Sequence, residues 1–319
     1  MKKTFLILCS VIITFNAWSG PADSVMYYYE DSLKILSKII LFSKEDFEKY
    51  NANKNFINLM EEALDYDNKL DYPFDSLTYI TRMTSPDKAF RIINWHLPRN
   101  DGTYEYLAFL QSFNTKRKKY ELHLLNDKSD EIVSPEHITL DENHWHGALY
   151  YKIIPVKKDK RKYYTILGWD GNTSRSHKKI IEILYFRKGG EAVFGYPLFR
   201  NYGKNNKRVI FEYSATSYMS LKYENQYAMV PVQKHNNKNN SPKKEKVDLI
   251  VFDRLAPMDE SLSGQFEFYV PETNVVDGFV YLDEKWMFIK DVDARNRKTN
   301  NQILPHDKRP TEFILYKPE

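Results

Sequence analysis

The stretch FRIINWHLPRNDGTYEYLAFL, Phe90 to Leu110, decides the fold class. Two β-rich runs, Phe90 to Trp95 and Thr103 to Leu110, flank Pro98-Arg99-Asn100-Asp101-Gly102. An Asp-Gly turn between such runs predicts an antiparallel hairpin, because glycine supplies the positive φ that a tight reversal needs. Working outward, Tyr120 to Leu124 alternates with period two, and runs at 148–156, 163–167, 180–186 and 192–194 extend the series. Further runs at 208–213, 218–223, 249–252, 265–270, 278–282 and 286–289 complete it. Short strands at this spacing without intervening helices predict an antiparallel body and exclude a doubly wound nucleotide-binding fold. They are also too short and irregular for a membrane barrel, which needs about ten residues per strand.

Upstream the period changes. Tyr29, Leu33, Leu36 and Ile40 step by four, three and four, and Ile57, Met60 and Leu64 repeat the spacing. Each set lines one face of a helix. Ser43 followed by Glu45 and Asp46 reads as an N-cap with acids in the first turn. The expected fold is α+β, an N-terminal helical hairpin packed on a large, predominantly antiparallel β body. Its expected parts are a signal peptide at 1–19, a helical segment at 20–80, the β body at 81–295 and a tail at 296–319. Residues 233–246, rich in Asn and Lys, read as a mobile polar loop within the body.

The amino terminus has the grammar of an export signal. Lys2 and Lys3 precede an apolar stretch from Phe5 to Phe15, and Ala17-Trp18-Ser19 fits a small-x-small cleavage pattern. Cleavage after Ser19 predicts a periplasmic or secreted chain with no transmembrane span. Cys9 is the single cysteine, so the mature chain has no disulfide and no thiol chemistry. The formal charge of +4 is local, because five lysines against Glu245 make the 233–246 segment itself +4. That is no footprint of a nucleic-acid-binding face, and nucleic acid is not an expected partner. Oligomeric state is not legible.

Phosphate-cradling glycine loops, nucleophile elbows and zinc-protease helices are absent from the sequence. The remaining candidates are local. His144 and His146, two apart, could share one side of a strand and hold a transition metal. No third ligand is fixed beside them, so the expectation is no metal and no cofactor. Gly168-Trp169-Asp170-Gly171-Asn172 is a turn whose tryptophan could stack on a sugar. Trp95, Trp145, Trp169 and Asn172 are therefore the candidate ligand contacts. Asp170, Glu212, Asp253 and Asp291 lie near strand ends and are the candidate carboxylates for glycoside cleavage, which needs two acids within about 5 to 9 Å.

Ile93-x-Trp95-x-x-Pro98-x-x-Asp101-Gly102-Thr103-Tyr104, Gly168 to Asn172, Arg208 to Tyr213, Val251 to Pro257 and Trp286 to Asp293 together resemble a family of uncharacterised exported proteins of Gram-negative bacteria. The resemblance covers most of residues 80–295. It implies an envelope location and a β-rich body, and it carries over no catalytic residue. Three functional readings stand. The first is a non-catalytic envelope protein binding a protein or glycan partner; the others are a glycan-directed hydrolase and a structural or assembly factor.

Overall fold

A computed structural model describes residues 21–67, 70, 72–231 and 242–292. Two helices, α1 (Pro21–Phe42) and α2 (Asp46–Tyr66), form the expected hairpin. α1 buries Met26, Glu30, Leu33, Ser37 and Ile40, a stripe at alternating steps of four and three. The N-cap of α2 is Glu45 rather than Ser43. Ser43 sits two residues upstream, where its hydroxyl accepts from the Glu45 amide at 3.3 Å and donates to Glu48.

The strands make three sheets. The first runs β1 (Thr81–Thr84), β2 (Phe90–Pro98), β3 (Tyr104–Asn114), β4 (Lys119–Asn126) in sequence order. The second has β10 (Val209–Ser214), β7 (Ser176–Phe186), β6 (Arg161–Asp170) and β5 (Leu149–Lys158) side by side, with β8 (Ala192–Phe194) also on β7. The third has β11 (Leu221–Val230), β12 (Lys243–Pro257), β13 (Tyr269–Leu282), β14 (Lys285–Ile289) and β9 (Phe199–Arg200). Among these strands every pairing is antiparallel except β14 with β9.

Strand alternation explains how these pieces stack. In β2, Ile93, Trp95 and Leu97 join Leu33, Phe56 and Met60 of the helices in one core. Phe90 and Ile92 of the same strand join Ile166, Ile180 and Leu184 in a second. In β7, Ile181 and Ile183 then face Leu221, Ile250, Phe252 and Phe279 of the third sheet. The order is helices, first sheet, second sheet, third sheet, and the inner sheets are apolar on both faces. Polar ties cross the layers: Asn94 Nδ2 donates to the Ala148 carbonyl at 2.8 Å, and Asn94 Oδ1 accepts from the Tyr150 amide at 2.8 Å. On the helical side, Lys49 Nζ donates to the Pro98 carbonyl and Asn100 Oδ1 at 2.9 and 2.7 Å. The Asp-Gly hairpin forms as expected, with Gly102 at φ +83°.

Several strand boundaries differ from the sequence expectation: the run expected at 218–223 is strand only from Leu221 and continues to Val230, and those expected at 265–270 and 278–282 belong to one strand. Residues 265–270 open with a single 3-10 turn, Phe266–Phe268, and the strand that follows runs on to Leu282. Lys243 to Lys246, expected within a mobile loop, instead pair with Val230 to Tyr227 as the start of β12. The rest of that loop, through residue 241, lies outside the described residues, as do the segment expected to be a signal peptide and the expected tail. Among the described residues no helix is long and apolar enough to cross a membrane.

Candidate functional site

Asp170 ends β6, Lys178 lies opposite it on β7, and Glu212 lies opposite Lys178 on β10. Cross-strand partners share a face, so the three form a row. With neighbouring strands about 4.8 Å apart, the Asp170 and Glu212 backbones stand roughly 10 Å from one another. Two of the four candidate acids are thus brought together. The space between their carboxylates is filled by protein. Lys178 Nζ lies 3.9 Å from Asp170 Oδ2 and donates to Asn172 Oδ1 at 2.7 Å. Asn172 Nδ2 donates to Ser176 Oγ at 2.7 Å and to Glu212 Oε1 at 3.3 Å, and the Ser176 hydroxyl donates to the same Oε1 at 2.6 Å.

The local chain explains this closure. Asn172 is at φ +48°, a left-handed conformation that asparagine tolerates, and its amide donates to Asp170 Oδ1 at 2.6 Å. The turn folds back over the row rather than opening away from it. Gly171 is required by close approach, since a Cβ there would meet the Tyr104 ring at 2.4 Å. Its amide donates to the Tyr106 hydroxyl at 2.6 Å.

Asp170 is only 4% exposed. Burial pushes its carboxyl up to about 6, against the opposing pull of Lys178, the Asn172 amide and Tyr106. Nearby, Asp127 is held by donors: its Oδ2 accepts from the Tyr106 amide at 3.0 Å, and its Oδ1 from Ser129 and Gly147. His96, cross-strand partner of Tyr106, is buried with an unpartnered Nδ1, and so is His146. Burial lowers His96 to about 4. Burial, helped by Arg208 and Lys178, lowers His146 to about 3. Both imidazoles are neutral near pH 7.

The other two acids are elsewhere, on the third sheet and its margin. Asp253 Oδ2 accepts from the Ser220 amide at 2.7 Å. Asp291 pairs with Arg254 at 2.8 Å, beside the Arg254–Asp277 contact at 2.5 Å. Neither faces Asp170 across a cleft.

The candidate tryptophans divide. Trp95 and Trp145 are 0% exposed, so neither offers a face to a partner. Trp95 Nε1 donates to Asn53 Oδ1 at 2.8 Å under α2, and Trp145 Nε1 donates to the Tyr150 hydroxyl at 2.8 Å. Trp169 is half-buried, edge-on to Tyr104 at 6.0 Å and 5.4 Å from the His177 ring. The histidine pair separates too. Residues 141–148 form a turn and loop rather than a strand; His144 is exposed against Asp141 at 3.1 Å, while His146 points inside. No group of three or more metal-ligating side chains occurs among the described residues.

Lys178, Ser176, Tyr106 and His96 escaped the sequence reading, which named His146 only as a possible metal ligand. Extending the alternation of β7 back to Ser176 would have placed Lys178 beside Asp170. Two surface hollows, of about 300 Å³ beside Arg82 and Arg91 and about 570 Å³ beside Tyr29 and Tyr66, lie on the helical side, away from the acid row. Comparison with protein families, with curated proteins and with solved structures gave no match.

Proposed function

We propose that this chain is an exported, non-catalytic envelope protein that binds a glycan or protein partner. The observation supporting the reading is the filled interval between Asp170 and Glu212. A glycosidase must leave room for a sugar, and for an attacking water where configuration inverts. Here Lys178 and Asn172 occupy that interval and bond to both sides of it. Asp253 and Asp291 are committed to a backbone amide and to an arginine. The accessible aromatic surface near this end of the second sheet, Trp169 and the 72%-exposed Tyr218, supports stacking on a ring rather than chemistry. The export expectation rests on the amino-terminal pattern of charge, apolar stretch and small residues.

One observation favours the hydrolase as a second reading. Asp170 holds its proton to about pH 6 beside a second carboxylate on the same face, the pairing a general acid needs. Catalysis would require Lys178 and Asn172 to swing out of the row. A glycan array probed with the purified mature chain tests the binding reading. The expected result is retention on a subset of glycans without loss of the printed sugars; no retention on any glycan or envelope protein would remove it.

A further inference from the structure

On the opposite side of the same strand end lies an unbalanced cation. Register sets Trp169, Lys179 and Phe211 side by side on β6, β7 and β10. Lys179 is only 9% exposed. Its Nζ lies 5.1 Å from the centre of the Tyr151 ring and 5.9 Å from that of Tyr218. Among the described residues its side chain has no carboxylate within ion-pair distance and no hydrogen bond. Lys222, whose charge acts on Lys179, is likewise without an ion pair there.

The surrounding side chains cannot supply the missing negative charge. Burial holds the Tyr151 phenol above its ordinary range, and its hydroxyl donates to the Leu221 carbonyl at 3.0 Å. Burial likewise raises Tyr213 to about 12, so both phenols are neutral. Burial, with Lys222 beside it, pushes the Lys179 amine down to about 8. A mostly buried lysine without a counter-charge is normally unfavourable, and aromatic faces recover only part of that cost. Tyr151 itself is set in place by an irregularity in β5, where the pairing with β6 slips between Tyr150 and Lys152. Such bulges re-aim side chains and recur beside binding sites.

We propose that Lys179, walled by Tyr151 and Tyr218, binds the carboxylate of a ring-bearing acid. Lys222 adds long-range attraction, and the exposed ring of Tyr218 offers a flat face to the ligand's ring. The ligand class rests on the binding reading above, whereas the position rests on Lys179 alone. An acidic sugar and an aromatic acid share this chemistry, so glucuronate and benzoate are the probes, with glucose and benzamide as neutral counterparts.

Calorimetric titration of the mature chain should show one acid binding at least tenfold more tightly than its neutral counterpart. Lys179→Met should lose that binding at least tenfold while melting no lower than the wild type, and Lys179→Arg should retain part of it. Tyr218→Ala, at an exposed position that does not threaten folding, should weaken binding severalfold and decides the matter should Lys179→Met fail to fold. Absence of binding by both acids, equal binding of acid and neutral forms, or undiminished binding by a folded Lys179→Met would each overturn the proposal. A blank glycan array with benzoate still bound would remove the glycan reading and leave this site standing.

Discussion

Acid should destabilise this protein through its buried histidines, chiefly His96 and His146, rather than through its carboxylates, and pH 4.5 is where to see it. An unfolded imidazole takes up a proton below about pH 6.5. Folded His96 does not until about 4, and folded His146 not until about 3, chiefly because both are buried. Between those limits the unfolded chain binds more protons, so stability falls as pH falls. At pH 4.5 each histidine has removed about 2.6 kcal/mol relative to pH 8, taking about 1.4 kcal/mol for each tenfold difference in proton affinity. Asp170 acts in the other sense. Its folded pKa of about 6 lies above the ordinary 3.8, so the folded state gains protons first and recovers about 2 kcal/mol by pH 4.5. From these three groups alone the net loss is about 3 kcal/mol; His177, also lowered by burial, adds to it, and Glu182, raised by burial, offsets part of it. Carboxylates held down by hydrogen bonds, such as Asp101 with Thr103, lose their contribution only below about pH 4 and do not enter this window. Urea titrations at pH 8, 6 and 4.5 should show the midpoint falling by about 1 M or more at an m-value of about 2 to 3 kcal/mol/M. His96→Gln and His146→Gln should each flatten the profile, and Asp170→Asn should steepen it. A midpoint unchanged from pH 8 to 4.5, or variants with the wild-type slope, would refute the reasoning.

Other outcomes follow from single contacts. Arg208 Nε donates to Glu182 Oε2 at 2.7 Å with both side chains essentially sealed from solvent, and Arg208 also donates to the Pro135 carbonyl. Arg208→Met alone should cost about 3 to 5 kcal/mol by stranding Glu182, while Arg208→Met with Glu182→Leu should cost much less; chemical denaturation of the full cycle measures both. Gly171→Ala should lower the melting temperature by driving a methyl into the Tyr104 ring, at a cost of about 1 to 3 kcal/mol, and Tyr104→Ala in the same chain should recover part of it.

The parts of the fold legible in the sequence were those governed by local periodicity. The Asp101-Gly102 turn and the spacing of Leu33 and Ile40 each report a one-chain property, backbone handedness or helical pitch. What was not legible depends on what lies on the other side of a strand. Trp95 reads as a prominent aromatic on a β run, but β2 is sandwiched between the helices and the second sheet, so its alternation selects between two interiors rather than between core and solvent. Lys243 to Lys246 read as loop because four charges offer nothing to bury. They are ordered by pairing with Val230 to Tyr227, and Lys244 sits 5.8 Å over the Tyr227 ring. The acid row was half visible: Asp170 and Glu212 stood out as residues near strand ends, but their meeting is set by a register across three strands, and Lys178 between them carried no local signal.

The most direct test of the proposed non-catalytic reading, in which Lys178 and Asn172 close the Asp170–Glu212 row and the row performs no chemistry, is a reducing-end assay on acidic and neutral oligosaccharides. Wild type, Asp170→Asn and Glu212→Gln would be run side by side at pH 6, where Asp170 is half protonated. The account predicts no release above the buffer rate from any of the three, with any change in the variants confined to their unfolding midpoints. Release by the wild type that disappears in both variants, while their melting temperatures stay at the wild-type value, would contradict it.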